Sequence, residues 1–377
     1  MSDIIDNPIT QQEVDNTLLK LNLNLIYYND DKFSKFIQSI YINKNRLLRI
    51  KEIADLFGVT CIDIKRKLIK LNLSKYFSLQ DFDMKEFFKN FLIQSNIFFY
   101  KDYKLQGKDS SNNIIPIEVD FYNPEYKIAF DINDVSEHNI SKQGKHYYHS
   151  KDVMLMKQFN IRLIHFWEWE IKDDKLWYSK MAPWILNLFN GNKIRVFARK
   201  CECKLVPLKE EKIFLNQYHI QGYQKSEICL GLYYNNELVQ IMSFCKPRYN
   251  KNYQWELLRL STKYGYIVIA GPEELYETFK RTYKPNSILS YCNLDKFEGN
   301  VYERIGLKLL KYNSPALSWY NIFAEKKYSA TSIVMLGVDK LLKCNYGLHT
   351  DNNWILLTYG YRRIPDCGQN VYVYNSK

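Results

Sequence analysis

Apolar positions at helical spacing open the chain. LLKLNLNLIYY and KFSKFIQSIYI, within residues 1–45, predict a small helical lead-in. RIKEIADLFGVTCIDIKRKLIKLNL then predicts two helices joined by a tight turn. Ala54 lets the helices approach, Gly58 makes the turn, Val59 plugs the junction, and Ile64 and Leu68 face inward, while Thr60 and Asp63 resemble a capping box. FDMKEFFKNFLIQSNIFFY predicts an amphipathic helix, and KDYKLQGKDSSNN a polar, turn-rich loop. The period then drops to two: in IPIEVDFY, Ile115, Ile117, Val119 and Phe121 fall on one face of a strand and Glu118 and Asp120 on the other. Asn123-Pro124-Glu125 supplies a turn, and YKIAFDIND returns as a second strand carrying Asp131. A helix-like segment with His146, His149 and Lys151 follows, then the buried-type strand IRLIHFWEWE. DDKLWYSKMAPWILNLFN predicts a closing helix interrupted at Pro183.

A new pattern begins at GNKIRVFARKC, a basic strand edge with Arg195, Arg199 and Lys200. A helix, EEKIFLNQYHIQGY, precedes strand-like runs at ICLGLYY, ELVQIMSFC and YQWELLRLST. IVIAG leads into the helix EELYETFKRTY, then strand SILSYC, short helix VYERI and strand GLKLLKY. The last part contains SATSIVMLGVDKLL and LTYGYRRIPDCGQNVYVYN. A terminal hairpin packed on the preceding domain is expected there, with Arg362 and Arg363 as possible phosphate contacts.

Carboxylates brought together on two hairpin strands repel one another, so such a cluster implies a divalent cation, a shared proton or wide solvation. Imidazoles and a lysine beside it suit phosphodiester hydrolysis, the metal polarising the phosphate and a nitrogen group handling proton and charge. An ordinary hairpin with solvated acids fits the spacing equally well. The segment VDFYNPEYKIAFDIND, the His-bearing helix and NIRLIHFWEWE resemble the nuclease core of the very-short-patch-repair-like homing endonucleases of phage and intron DNA. The resemblance implies a restriction-endonuclease-like mixed-sheet core and magnesium, or manganese, as cofactor. It casts Asp120, Asp131, Asn133, His138, His149 and Lys151 as catalytic, with Asp120, Asp131 and Glu118 as metal ligands. The chain departs from the family pattern at Asn133-Asp134-Val135-Ser136-Glu137-His138, which lacks the family's glycine and aromatics. A zinc site from His138, His146 and His149 is a minor alternative.

The two-helix segment resembles a helix-turn-helix, with Lys65, Arg66, Lys67 and Lys70 as outward groove or phosphate contacts. FLNQYHIQGY, LGLYYNNELV, ELLRLS, Gly271 and YERIGLK resemble the acetyltransferase-like domain of Mom-type DNA modification proteins. A pyrophosphate there needs amide donors from a glycine-rich turn, whereas Ala270-Gly271-Pro272 offers one glycine and a proline without an N–H. Acyl-CoA is therefore not expected, and His219 is read as structural. The fold class is multidomain α/β: a helical domain over 1–78 with the helix-turn-helix at 46–72, a nuclease core over 79–191, an acetyltransferase-like α+β domain over 192–324, and a tail over 325–377.

A net charge of +12 over 377 residues points to an anionic partner. Double-stranded DNA is favoured over membrane, because no apolar run approaches the roughly 20 residues of a spanning helix. The polar, acidic MSDIIDNPITQQ does not read as a signal peptide. Eight scattered cysteines without a CxxC pair suggest reduced thiols in a cytoplasm, that of the host cell for a phage protein. The leading expectation is a homing-type DNA endonuclease. The alternatives are a nuclease-derived DNA-binding accessory protein and, more weakly, a base-modifying acyl transferase.

Overall fold

The computed structural model describes residues 23, 25–44, 48–59, 61–78, 83–109, 111–135, 138–322, 326–329, 332–333, 356 and 361–376. The start of the lead-in helix, Thr60 of the capping box and most of SATSIVMLGVDKLL lie outside these residues. The chain is a multidomain α/β protein whose two compact units cut across the boundaries expected at 78, 191 and 324. One unit comprises 1–87, 134–144 and 317–365, the other 88–133, 145–316 and 366–377.

In the first unit, helix α1 (Asp30–Lys44) precedes strand β1 (Leu48–Arg49), helix α2 (Ile50–Phe57), helix α3 (Cys61–Lys70) and strand β2 (Phe77–Ser78), which pairs in parallel with β1. The turn between α2 and α3 needs a left-handed residue, and Gly58 supplies it at φ +64°. The Val59 N–H donates to the Ala54 carbonyl at 3.0 Å, and Ala54, Ile64 and Leu68 are buried with Phe33 and Ile37 of α1. One expectation is corrected: Lys67 does not point outward. Its ammonium lies 2.5 Å from Asp30 and over the Phe33 ring, because the turn sequence directs that side of α3 back onto α1. Lys70 meets the other oxygen of Asp30 at 2.9 Å while staying exposed, and these two bonds hold the Asp30 carboxyl below its ordinary pKa.

The second unit begins within helix α4 (Met84–Gln94) and continues through strands β3 (Tyr100–Lys108), β4 (Ile114–Asn123) and β5 (Ile128–Asn133), helix α5 (Tyr147–Phe159) and strand β6 (Arg162–Trp167). The strands form one sheet in the order β3-β4-β5-β6, antiparallel except for the parallel β5–β6 pair, which α5 connects. Phe88 of α4 is fully buried against Phe121, Phe130 and Phe166 on one face of the sheet. Leu155 of α5 packs with Val119, Ala129 and Leu163 on the other. The segment expected as a loop is the edge strand β3, whose Tyr103 stacks on Tyr122 at 4.6 Å and whose Leu105 packs on the α5 face. Alternation at these two positions outweighed the polar composition. The break expected at Pro183 is a helix start instead: α6 (Ala182–Phe189) begins there, after a π-helical turn over Trp177–Met181.

The rest of this unit runs through β7 (Ile194–Phe197), β8 (Glu202–Leu205), α7 (Leu208–Tyr218), β9 (Ile228–Tyr234), β10 (Glu237–Cys245), β11 (Trp255–Thr262), β12 (Tyr266–Ile269), α8 (Gly271–Tyr283), β13 (Ser287–Asn293) and β14 (Lys308–Asn313). Phe244 and Phe279 stack at 3.5 Å in the core beneath α8. Strands β15 (Leu317–Asn321), β16 (Lys326–Ser329) and β17 (Tyr361–Pro365) form an antiparallel sheet in the first unit, whereas β18 (Gln369–Asn375) lies in the second. The expected terminal hairpin is therefore absent, since β17 and β18 belong to different sheets. The seven-stranded order is β14-β18-β13-β11-β10-β9-β8, so β18 fills the place between β14 and β13 and buries Val371 and Tyr372. A chain ending before Gln369 should lose cooperative unfolding of this unit in thermal circular dichroism. Tyr372→Ala in the full chain should cost about 3–5 kcal/mol in urea denaturation.

Candidate active site

The site is built where β4 departs from strict alternation. Ile117 and Val119 face α5 as expected, but Phe121 turns to the Phe88 face and Tyr122 returns to the α5 side. The kink falls at Asp120, and on β3 the residue between the pairs Lys101–Phe121 and Tyr103–Val119 is Asp102, with φ +48°. Such irregularities bend a strand and re-aim a side chain. Here Asp120 Oδ2 accepts the Ile132 N–H at 2.7 Å, a side chain standing in for a ladder carbonyl next to Asp131.

Asp131 is 3 % exposed, and its Oδ2 lies 2.6 Å from the Lys151 ammonium of α5. Burial opposes the charge on Lys151, but Asp131 and, behind it, Asp120 hold its pKa above the ordinary lysine value. The parallel register sets Asp131 beside His165, whose Nδ1 lies 3.9 Å from Asp131 Oδ2 and 3.2 Å from the Asn133 amide nitrogen. Nε2 of His165 lies 3.0 Å from Asp152 Oδ1. Burial works against an imidazolium here, yet Asp152 and then Asp131 raise the His165 pKa, while burial raises that of Asp152 despite its partner. Asn133 Oδ1 is buried without a hydrogen-bond donor.

Of the expected catalytic residues, Asp120, Asp131, Asn133 and Lys151 come together. His149 is drawn away: it stacks on Tyr312 at 3.9 Å, with burial lowering its pKa and its Nδ1 lacking a partner. His138 belongs to the first unit, where its N–H donates to the Asp134 carbonyl at 2.9 Å. Glu118, expected as a third metal ligand, is exposed and lies 3.6 Å from Lys104. Among the described residues, the set of three ligand atoms within 4.8 Å of one another is Asp152, His165 and Cys367, neither the acid trio nor the histidine trio. Asp120 and Asp131 are carboxylates on paired strands, oxygen donors of the kind magnesium takes, and the Asn133 amide oxygen two residues beyond Asp131 has no donor.

His165 and Asp152 are the residues that sequence reasoning missed. A usable signal existed: His165 stands in an otherwise apolar run from Leu163 to Trp167, and a buried imidazole needs polar partners. Trp167 Nε1 donates to Asp295 Oδ2 at 3.3 Å, the Cys367 N–H donates to Asp295 Oδ1 at 2.7 Å, and the Lys296 ammonium meets Glu170 at 2.8 Å. These bonds tie β6 to the loop after β13 and to the start of β18.

Arg66 is exposed on α3, as are Arg195, Arg199 and Lys200 around β7, while the side chain of Lys65 lies outside the described residues. Ala270 precedes α8 at φ +59°, with Pro272 in the first turn and no glycine-rich loop. His219 accepts the Gln221 N–H at Nδ1 over 3.1 Å, and burial with nearby Arg259 and Lys180 presses its pKa down to about 3, so it is neutral at pH 7. Cys201, Cys203, Cys229, Cys245, Cys292 and Cys367 are free thiols. No helix among the described residues is long and apolar enough to cross a membrane.

No family model and no curated protein matches the chain. Solved structures with some likeness include an acetyltransferase from Bacillus subtilis in complex with CoA, at 11% identity and TM-score 0.28, covering 47% of this chain and 100% of that one. An acetyltransferase from Bacillus anthracis in complex with acetyl coenzyme A gives 12% identity and TM-score 0.24, covering 47% and 86%. At these scores neither likeness carries an assignment of activity.

Lys151→Met would strand a buried Asp131 carboxylate and should cost about 3–5 kcal/mol in urea denaturation. Adding Asp131→Asn should restore most of that loss, a coupling that a double-mutant cycle measures.

Proposed function

We propose that the chain is a metal-dependent DNA endonuclease of the homing type. The observation that carries this reading is the placing of Asp120 and Asp131 on neighbouring strands beside the Lys151 ammonium. The order helix, three strands, helix, strand around them agrees with a restriction-enzyme-like core. Asp120 and Asp131 would hold Mg2+ or Mn2+, which supplies Lewis-acid polarisation of the phosphodiester. Lys151 holds Asp131 in place and offers its ammonium to a phosphate oxygen. Asn133 positions His165, and the Asp152–His165 pair beneath keeps the Asp131 neighbourhood electrically balanced. Substrate binding is assigned to the exposed Arg66, Lys70, Arg195, Arg199 and Lys200, which agrees with the net charge of +12.

Purified protein with phage-derived duplex DNA should nick or cut only when Mg2+ or Mn2+ is added. Asp120→Asn and Asp131→Asn should each lower the rate by at least about 100-fold while leaving DNA affinity within a few-fold. Wild-type protein that binds duplex but never cuts it under either metal would remove the catalytic half of this reading. The burial of both acids favours a second one, a nuclease-derived DNA-binding accessory protein. Calorimetry separates the two, since the accessory protein would have no affinity for either metal.

Binding itself has a sharper test than charge removal in bulk. Arg66→Ala should reduce the slope of log affinity against log salt by about 1, with thermal stability kept. Lys67→Ala should instead lower the unfolding temperature of the helical unit, because it releases Asp30. The reverse assignment of effects would place the contact face elsewhere on α3.

A further inference from the structure

A cavity of about 500 Å3 lies in the second unit, apart from the acidic site. Its origin is a divergence of strands: β11 and β13 pair in parallel only over Trp255–Leu257 and Ile288–Ser290, and the space opens beyond that point. Arg259 of β11 and Arg162, the first residue of β6, both line it. Their hydrogen bonds go to main-chain carbonyls alone. Arg162 donates from Nη2 to Lys296 O at 2.6 Å, and Arg259 from Nε to Gly222 O at 3.2 Å and from Nη1 to Leu258 O at 2.9 Å.

Two other arginines of this unit are each held by a glutamate, Arg248 by Glu256 and Arg304 by Glu273. Among the described residues, Arg162 and Arg259 have no such ion pair, and Arg162 Nε is buried without an acceptor. Glu298, whose charge reaches Arg162, is itself bonded by the Asn300 amide at 3.1 Å. Burial presses both guanidinium pKa values below the ordinary arginine value, more than the nearby charges of Glu298 at Arg162 and Glu256 at Arg259 offset. Each guanidinium carries five N–H donors in a planar fork, so donors remain for an anion with several oxygens.

A second unsatisfied group shares the cavity. Gln240 is 3 % exposed; its Nε2 donates to Thr262 Oγ1 at 2.7 Å, while its Oε1 is buried with no donor. Gly271 makes room for that oxygen, since a Cβ there would collide with it. A ligand that offers both an anionic group and an N–H or O–H donor would satisfy these groups together. Leu258, Leu260 and Val268 add apolar wall for a flat body.

We infer that this cavity binds a nucleotide, its phosphate held by Arg162 and Arg259 and an N–H of its base donating to Gln240 Oε1. The inference does not rest on the nuclease reading, and the residues it uses are not those of the acidic site. The ligand is either a free nucleoside monophosphate or one nucleotide of a single strand.

Isothermal titration of the full chain tests this with the four ribonucleoside and four deoxyribonucleoside 5′-monophosphates, the matching nucleosides, inorganic phosphate and a short single-stranded oligonucleotide. At least one monophosphate or the oligonucleotide should bind saturably below about 1 mM. The matching nucleoside should bind about tenfold more weakly or not at all. Arg259→Gln and Arg162→Gln should each weaken binding by at least about tenfold. Leu260→Trp, which leaves both arginines in place and fills the cavity, should abolish binding if either arginine variant fails to fold. Binding of monophosphates assigns the free ligand, and binding of the oligonucleotide alone assigns the polymer. No binding of any probe to wild type, or binding that survives the arginine and cavity-filling variants, overturns the inference.

Discussion

A charge taken out of water must meet an opposite charge or a full set of hydrogen bonds, and the second unit is organised by that demand. Asp131 meets Lys151, His165 meets Asp152, and Lys296 meets Glu170, each below the surface. Asp295 serves three residues at once: its carboxylate accepts from Trp167 and Cys367, and its carbonyl accepts the His165 N–H at 3.1 Å. The last bond caps the outer edge of β6, which would otherwise present open main-chain groups. The four-stranded and seven-stranded sheets of this unit are thus joined by polar stitches as well as by apolar contact.

The same demand distinguishes the two sites. In the acidic site the protein supplies its own counter-charges, and Lys151 occupies a place beside Asp131 that a cation also suits. In the cavity the protein supplies two guanidinium groups with no direct ion pair among the described residues, although Glu298 also lines it. One site is balanced internally; the other needs a charge from outside. One helix and two strands carry the acids, whereas a divergence between two parallel strands creates the cavity.

Much of this was legible in the sequence because it depends on neighbours along the chain. The turn at Gly58, the inward positions Ala54, Ile64 and Leu68, the hairpin around Asn123-Pro124-Glu125, and the strands β9 to β14 follow from local period and turn chemistry. What was not legible depends on partners distant in sequence. Lys67 looks like any exposed lysine until Asp30 is placed beside it. His165 acquires its role only from Asp152 on α5 and from a register that sets it against Asp131. Strict alternation predicted one face for Val119 and Phe121. The kink at Asp120 broke it, because a side chain took over a main-chain hydrogen bond.

The position of β18 also has a temporal side. Strands β13 and β14 are not neighbours in the finished sheet; each pairs with β18, from opposite sides. During synthesis both must therefore wait, with a pairing edge vacant, until the whole of 314–368 and then the closing strand have been made. The nascent chain carries an unfinished template for strand addition throughout that interval, and any extended segment that reaches it first competes with residues 369–375. A holding chaperone or rapid translation of residues 314–375 would matter more for this protein than for one whose sheet closes in chain order.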